Sequence, residues 1–158
     1  MACITPSLLP ALPRPVCLGN GRVGILPGIS ANVHDSYSAG VGTLHAALLG
    51  LFTVARVQGG GEIARGELMR YFAEMAWYPT ALLPGQGVRW AAVDDHSANA
   101  TLVDGAINLT LLFSFDDAGL ITTVHADARG SAVGKEMVML PWDCSVPNYQ
   151  LRPGMLLP

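Results

Sequence analysis

The first candidate for chemistry is a run of polar side chains on one face of a predicted helix. Glu67, Arg70, Tyr71, Glu74 and Tyr78 follow one another at helical spacing, which places all five on the same face. Glu67 and Glu74 are each spaced to form an ion pair with Arg70. Two carboxylates around a guanidinium can bind a polar ligand or carry out acid–base chemistry. The alternative is a solvated helix face with weak intrahelical ion pairs.

A second candidate is a set of histidines and aspartates spread along the chain. Its members are His34, Asp35, His45, Asp94, Asp95, His96, His125 and Asp127. Such residues can converge on a metal ion. However, Asp94 and Asp95 fall in a predicted turn, where aspartate is expected in any case. Neither HExxH nor another metal-ligand spacing links the segments, so we predict no metal and no cofactor.

The sequence offers little for nucleophilic catalysis. No serine lies in a GxSxG motif, and no glycine-rich phosphate loop is present. The cysteines Cys3, Cys17 and Cys144 are odd in number and form no CxxC, which favours isolated thiols over a disulfide or a zinc site. Gly59-Gly60-Gly61 precedes a helix and is interpreted as a turn. Catalytic residues therefore stay unassigned, and a protein without catalytic activity is favoured over an enzyme.

Aromatic side chains form the third candidate. They are Trp77, Tyr78, Trp90, Phe113, Phe115 and Trp142. Beside a curved sheet with one apolar face they can line a pocket for an apolar ligand. The alternative is that they belong to an ordinary hydrophobic core.

Composition limits the function classes. The chain has 158 residues, of which 51% are hydrophobic and 13% are charged, whereas average domains have roughly 25% charged residues. Apolar surface is thus expected to stay exposed, or to be covered by a ligand, a partner chain or further sequence. The net charge is −3 and Lys135 is the only lysine. This lack of a basic footprint argues against nucleic-acid partners and against anionic membrane surfaces.

The sequence has no apolar stretch long enough for a transmembrane helix. Residues 1–28 are rich in proline and glycine and lack a basic segment before their apolar part. We therefore predict an irregular arm, with at most a short strand over 22–26, and no signal peptide. The compartment stays open, with the cytoplasm favoured over the periplasm.

The first half of the remaining chain predicts strands and then a helix. A strand is expected over 29–37. Residues 43–57 are interpreted as two strands joined at Leu49-Gly50, although a helix over 44–51 stays open. A helix follows over 62–77 and ends before Pro79. Its buried stripe has helical spacing and comprises Leu68, Met69, Phe72, Ala73, Met75 and Ala76.

The second half predicts an antiparallel meander. Strands are expected over 88–93, 98–103, 107–115 and 120–126, separated by short polar turns. After residue 128 the pattern weakens to a strand over 137–140, a loop from Pro141, and a turn with the start of a strand over 152–155. The predicted fold class is α+β: a curved antiparallel meander packed on one main amphipathic helix (about 62–77), forming an incomplete half-barrel. Residues 29–158 are expected to form a single domain.

Several segments together resemble the signature of an uncharacterised bacterial family of unknown function. They are residues 67–74, 77–84, 87–90, 94–95, 98–115, 141–142, 148–149 and 154–155. The resemblance extends from about Leu26 to the C-terminus. It implies a curved antiparallel sheet wrapped on a helix, similar to the lipoprotein-carrier folds of the bacterial envelope, and it implies no reaction.

The chain departs from this family pattern in three places. Members are longer at both ends, Cys144 replaces an expected glycine, and residues 129–136 lack an expected strand rich in tyrosine and arginine. We therefore expect a shortened or fragmentary member, in which missing strands would leave sheet edges unpaired.

The favoured function is a non-catalytic binding protein for an apolar small molecule or lipid. The predicted ligand-binding residues are Glu67, Arg70, Tyr71, Glu74, Trp77, Tyr78, Trp90 and Phe113, with Met69, Phe72 and Leu111 in the cavity floor. One alternative is an enzyme that uses Glu67 or Glu74 as a base and Arg70 as an anion clamp. Another is an interaction module that pairs with a partner, or with a second copy of the chain, through exposed sheet edges.

Overall fold

The computed structural model describes residues 16–26, 29–48, 52–133 and 136–158. They form two antiparallel sheets, a short hairpin and one α-helix, which confirms the α+β class. The chain divides into two compact units: unit 1 is Met1–Tyr71 with Asp104–Ile107, and unit 2 is Phe72–Val103 with Asn108–Pro158. The predicted boundary between an arm and a single domain stays a prediction. No helix among the described residues has the length and apolar character needed to cross a membrane.

Unit 1 contains a four-stranded antiparallel sheet. Its strands β1 (Val16–Leu26), β2 (Ile29–Ser38), β3 (Val41–Leu48) and β4 (Phe52–Gly59) are neighbours in chain order. The two-strand interpretation of residues 43–57 is confirmed, and residues 44–48 are not helical. The predicted junction at Leu49-Gly50 lies outside the described residues.

Strand β1 corrects the expectation of coil before residue 22. It pairs with β2 along its length, from Val16 opposite Ser38 to Leu26 opposite Ile29. Glycine is a poor strand former, so the local sequence gives little sign of this strand. Pairing with β2 supplies the backbone hydrogen bonds and overrides the local preference. The predicted arm over residues 1–15 lies outside the described part of the chain.

The helix α1 (Gly61–Glu74) continues into a 3-10 turn over Met75–Trp77. Two further 3-10 turns, Pro79–Leu82 and Pro84–Gln86, start at prolines, whose fixed φ suits the first helical position. The predicted stripe is confirmed, because each of its members is at most 5% exposed: Leu68, Met69, Phe72, Ala73, Met75 and Ala76.

A five-stranded antiparallel meander lies in unit 2, except for its turn over Asp104–Ile107, which belongs to unit 1. Its strands in order are β5 (Arg89–Asp94), β6 (Ser97–Asp104), β7 (Ile107–Phe115), β8 (Ile121–Val133) and β9 (Glu136–Ser145). In β7, the central side chains of the apolar alternation are buried: Leu109, Leu111 and Phe113 are at most 1% exposed, whereas Ile107 and Phe115 at the two ends are half-buried. The predicted meander is therefore confirmed.

The loop predicted from Pro141 is wrong, because β9 runs through it. The register of β8 and β9 shifts between Ala126, which faces Trp142, and Arg129, which faces Leu140, so Pro141 lies at a β-bulge. Proline is tolerated at bulges and edge strands, where its missing N–H interrupts no regular ladder. The final hairpin, β10 (Gln150–Arg152) with β11 (Met155–Leu157), confirms the turn predicted there.

Candidate functional site

Arg70 has a charged partner outside its own helix. Both terminal nitrogens of its guanidinium donate to the carboxylate oxygens of Asp35 on β2. The Asp35 side chain is only 6% exposed and that of Arg70 is 21% exposed. A bidentate pair between planar groups is geometrically specific, and it is costly to break when buried. In unit 1, the ion pair between Arg70 and Asp35 therefore stabilises the packing of α1 on the sheet.

The other members of the predicted polar helix face have mixed surroundings. Glu67 is buried at 9% exposure, Tyr71 and Glu74 are half-buried, and Tyr78 is 44% exposed. The polar face of the helix is therefore not uniformly exposed to solvent. Glu67, Arg70 and Tyr71 belong to unit 1, whereas Glu74 and Tyr78 belong to unit 2. Their role in ligand binding, or as the acid–base residues of an enzyme, stays a prediction.

Two glycines permit the close approach of α1 to the sheet in unit 1. A Cβ on Gly19 would overlap the paired groups of Asp35 and Arg70. A Cβ on Gly42 would lie 2.8 Å from the carbonyl oxygen of Ile63 and 2.9 Å from the backbone of Ala64. Sequence reasoning missed both, because a lone glycine in a strand pattern does not reveal which element approaches it.

Tyr37 and Asp104 form a second contact that sequence reasoning missed. Tyr37 is fully buried, and its hydroxyl donates to Asp104 Oδ2 at 2.6 Å while accepting the Gly40 N–H at 3.1 Å. Burial, followed by the hydrogen bond to Asp104 and its negative charge, raises the pKa of Tyr37 well above its ordinary value. The phenol therefore stays protonated at neutral pH and serves as a hydrogen-bond donor.

An aromatic cluster lies in unit 2. The ring centroid of Phe113 is 5.7 Å from that of Phe72 and 5.2 Å from that of Trp90, and Trp90 is 6.2 Å from Phe115. Phe72 and Phe113 are fully buried, whereas Trp90 and Phe115 are half-buried. The Trp90 indole N–H donates to the Leu82 carbonyl at 2.9 Å. The cluster thus has a buried floor and a partly exposed rim.

The remaining predicted ligand-lining residues have varied positions. Met69 and Leu111 are 1% exposed and belong to the core, and Trp77 is half-buried at the end of the 3-10 turn after α1. Trp142 lies under Arg129, whose guanidinium carbon is 4.9 Å from the ring centroid. Trp142 is thus covered by a cation, while the rim of the aromatic cluster is apolar.

The histidines and aspartates of unit 2 make separate pairwise contacts. His125 Nδ1 is 2.8 Å from Asp143, and His125 Nε2 is 3.4 Å from Asp127. The Asp143 hydrogen bond is the main reason that the pKa of His125 is raised. Asp94 accepts the backbone N–H of His96 at 2.9 Å, which lowers the pKa of this turn carboxylate. Among the described residues, no group of three or more His, Cys, Asp or Glu is placed to hold a metal ion.

Cys144 is a half-buried free thiol. Burial, and then the negative charge of Glu74, raise the pKa of this thiol. Because the thiolate is the nucleophilic form of cysteine, these surroundings suppress its reactivity.

A family model described as a family of unknown function (DUF6920) matches residues 9–158, so the chain belongs to this family. The resemblance to a family of unknown function is thereby confirmed. Comparison with curated proteins and with solved structures gives no match.

Proposed function

We propose that this member of a family of unknown function is a non-catalytic binding protein for an apolar or lipid-like ligand. Its contact surface would be the aromatic rim of unit 2, formed by Trp90 and Phe115 over the buried rings of Phe72 and Phe113. The observation that carries the proposal is that Trp90 is held by the Leu82 carbonyl and by Phe113 and yet is only half-buried.

Trp90 is held on two sides. Its N–H is used by the Leu82 carbonyl, so its polar edge needs no further partner. Its ring packs edge-on against Phe113, at an interplanar angle of 65°. A ring fixed in this way loses little conformational freedom when a ligand binds, which favours affinity. The exposed part of the ring is apolar and suits an alkyl chain better than a polar group.

Other exposed apolar side chains of unit 2 also favour an apolar ligand. The Leu82 carbonyl that accepts the Trp90 hydrogen bond lies in the 3-10 turn Pro79–Leu82. Tyr78 and Leu83 flank this turn and are 44% and 54% exposed. With 13% charged residues the chain has few groups to mask such a surface. Exposed apolar side chains next to the residue that holds Trp90 favour an apolar ligand at this place.

The similarity of the family to lipoprotein carriers, proposed from the sequence, agrees with this function but is an argument from fold analogy. The predicted polar contacts Glu67, Arg70, Tyr71 and Glu74 are not needed for the surface proposed here. Arg70 is already engaged by Asp35.

Quenching of tryptophan fluorescence tests the proposal. The chain has three tryptophans, and replacing two of them leaves a single fluorescent reporter. The double variant Trp77→Phe/Trp142→Phe keeps Trp90 as the reporter. Titration with a brominated long-chain fatty acid, below its micelle concentration, is expected to quench Trp90 saturably. The matched control, Trp77→Phe/Trp90→Phe, keeps Trp142 and is expected to show little quenching. Equal quenching of both reporters, or none, would contradict the proposal.

A second candidate function, an interaction module that pairs through sheet edges, is favoured by the terminal strands of the two sheets. Within the described residues, β4 and β9 each have a ladder partner on one side only. Phe52 on β4 is 66% exposed, and Met137 and Met139 on β9 are 52% and 45% exposed. Apolar edge strands readily pair with other chains. Light scattering should then show concentration-dependent dimers that Phe52→Lys or Met139→Lys weakens; a monomer at every concentration would exclude self-pairing.

A further inference from the structure

One face of the unit 1 sheet is positively charged and carries no carboxylate. The register places Asn20, His34, His45 and Arg56 directly opposite one another across β1 to β4. Asp35 is the only carboxylate between residues 16 and 59. Because neighbouring residues of a strand point to opposite faces, the Asp35 side chain lies on the other face, where it meets Arg70 of α1. The histidine row is thus on the face turned away from the helix.

A depression of about 220 Å³ lies on this face. Residues of three strands line it: Leu18, Gly19, Asn20, His34, Asp35, Ser36, Thr43 and His45. Gly19 has no side chain, and the Asp35 side chain points to the opposite face, so neither contributes a side chain to this lining. The rings of His34 and His45 are stacked, with centroids 6.3 Å apart and planes inclined by 21°. All the polar side chains in this lining can donate hydrogen bonds.

We propose that this depression binds a small oxyanion, such as a phosphate group, between His34 and His45. Each ring has one nitrogen engaged by a neighbour: His34 Nδ1 by Asn20, and His45 Nε2 by Thr53 at 3.0 Å. An imidazolium donates from both nitrogens, so each ring can keep its neighbour and also bind the anion. Arg56, exposed and opposite His45, supplies a permanent positive charge.

The size and chemistry of the depression distinguish this site from the apolar surface of unit 2. Its volume of about 220 Å³ is below the roughly 300–1,000 Å³ typical of drug-sized ligands. A phosphate group with a few waters fits, and a lipid chain does not. A zinc site is disfavoured, because protein zinc sites use at least three protein ligands, and the described residues bring no such group together.

Titration of the whole protein with inorganic phosphate, followed by the NMR signals of the four histidine rings, tests the proposal. The His34 and His45 signals should shift saturably, while those of His96 and His125 in unit 2 stay unchanged as internal controls.

Matched variants distinguish specific phosphate binding at this depression from nonspecific electrostatic attraction of phosphate to the protein. His45→Gln and Arg56→Gln should each weaken phosphate binding by about fivefold or more, whereas Arg89→Gln, an exposed arginine of unit 2, should change it by less than about twofold. Equal weakening by Arg89→Gln, parallel shifts of all four histidines, or no saturation would overturn the site. A response to zinc at lower concentration than to phosphate would overturn its assignment to an anion. Methyl phosphate and acetate, compared in the same titration, distinguish a phosphate from a carboxylate ligand. If a histidine variant fails to fold, the wild-type signals still decide.

Discussion

Arg70 of α1 and Asp35 of β2 form a buried, bidentate ion pair that joins the helix to the sheet in unit 1. The two residues are 35 positions apart in the chain. For each of them, another residue of opposite charge lies closer in the sequence. Gly19 of β1 leaves the space that the pair occupies. The ion pair needs both charged side chains and the space left by Gly19. Substitutions in the pair are therefore a sensitive test of the unit 1 packing.

Replacing Arg70 with glutamine should lower the free energy of unfolding by about 3–5 kcal/mol, because the buried Asp35 carboxylate loses its counter-ion. The double variant Asp35→Asn/Arg70→Gln should be less destabilised than the sum of the single variants. Urea denaturation of the whole chain measures these values. Arg89→Gln, at an exposed site on β5, is the control and should change stability by less than about 0.5 kcal/mol. If Arg70→Gln behaves like the control, the pair does not contribute to stability.

Gly42 and Gly59 face each other across β3 and β4 and offer a matched pair of substitutions. An added Cβ at Gly42 would meet the helix backbone at 2.8 Å, whereas at Gly59 the nearest atom would be the flexible Cδ1 of Ile63 at 3.8 Å. Gly42→Ala should therefore destabilise unit 1 by about 1–3 kcal/mol through overpacking. Gly59→Ala should be near neutral. Thermal unfolding followed by circular dichroism distinguishes them, and equal melting temperatures would contradict the close approach of α1 to β3.

Tyr37→Phe tests the hydrogen bond to Asp104. Removing a buried hydroxyl that donates to a carboxylate should cost about 1.5–3 kcal/mol. Tyr78→Phe is the control, since Tyr78 is 44% exposed, and it should have little effect. Denaturation at neutral pH measures both, and equal stability of the two variants would show that the Tyr37 hydroxyl contributes nothing.

The same phenol predicts a pH dependence. The pKa of Tyr37 is raised in the folded protein by burial and by Asp104, so the folded state holds this proton more tightly than the unfolded state, whose pKa is about 10. The stabilisation is complete below that pH and is lost as the pH rises above it. The stability difference between the wild type and Tyr37→Phe should therefore shrink above about pH 10. A constant difference would contradict the raised pKa.

Local periodicity explains why part of the fold could be predicted from the sequence. The stripe around Phe72 and the alternation of β7 each repeat within one element, and the side chains at their centres are buried. Strand β1 could not be predicted in this way, because β2 rather than its own glycine-rich sequence makes it a strand. Pro141 was misleading for a related reason, since a bulge accommodates it inside β9.

The candidate sites were predictable only in part. Helical spacing identified Arg70 as a residue of interest, but not its partner Asp35 on a distant strand. Tyr37 and Asp104 are 67 positions apart, and no motif links them. The row of His34 and His45 depends on strand register, which residue types alone do not specify. Long-range pairing therefore determines the site geometry that the sequence patterns did not predict.

His125 offers a test of the unit 2 sheet that can be read from an NMR titration without denaturing the protein. Its pKa is raised above the ordinary histidine value, first by the hydrogen bond from its ring to Asp143 and, less strongly, by Asp127. Asp143→Asn should lower the pKa of His125, and Asp127→Asn should lower it less; an NMR titration of the ring measures both. Because the folded-state pKa is raised, the contribution of His125 to stability is complete below the unfolded pKa, about 6.5, and is lost as the pH rises through the folded value. A larger effect of Asp127→Asn than of Asp143→Asn would contradict the geometry in which Asp143 lies 2.8 Å and Asp127 lies 3.4 Å from the ring.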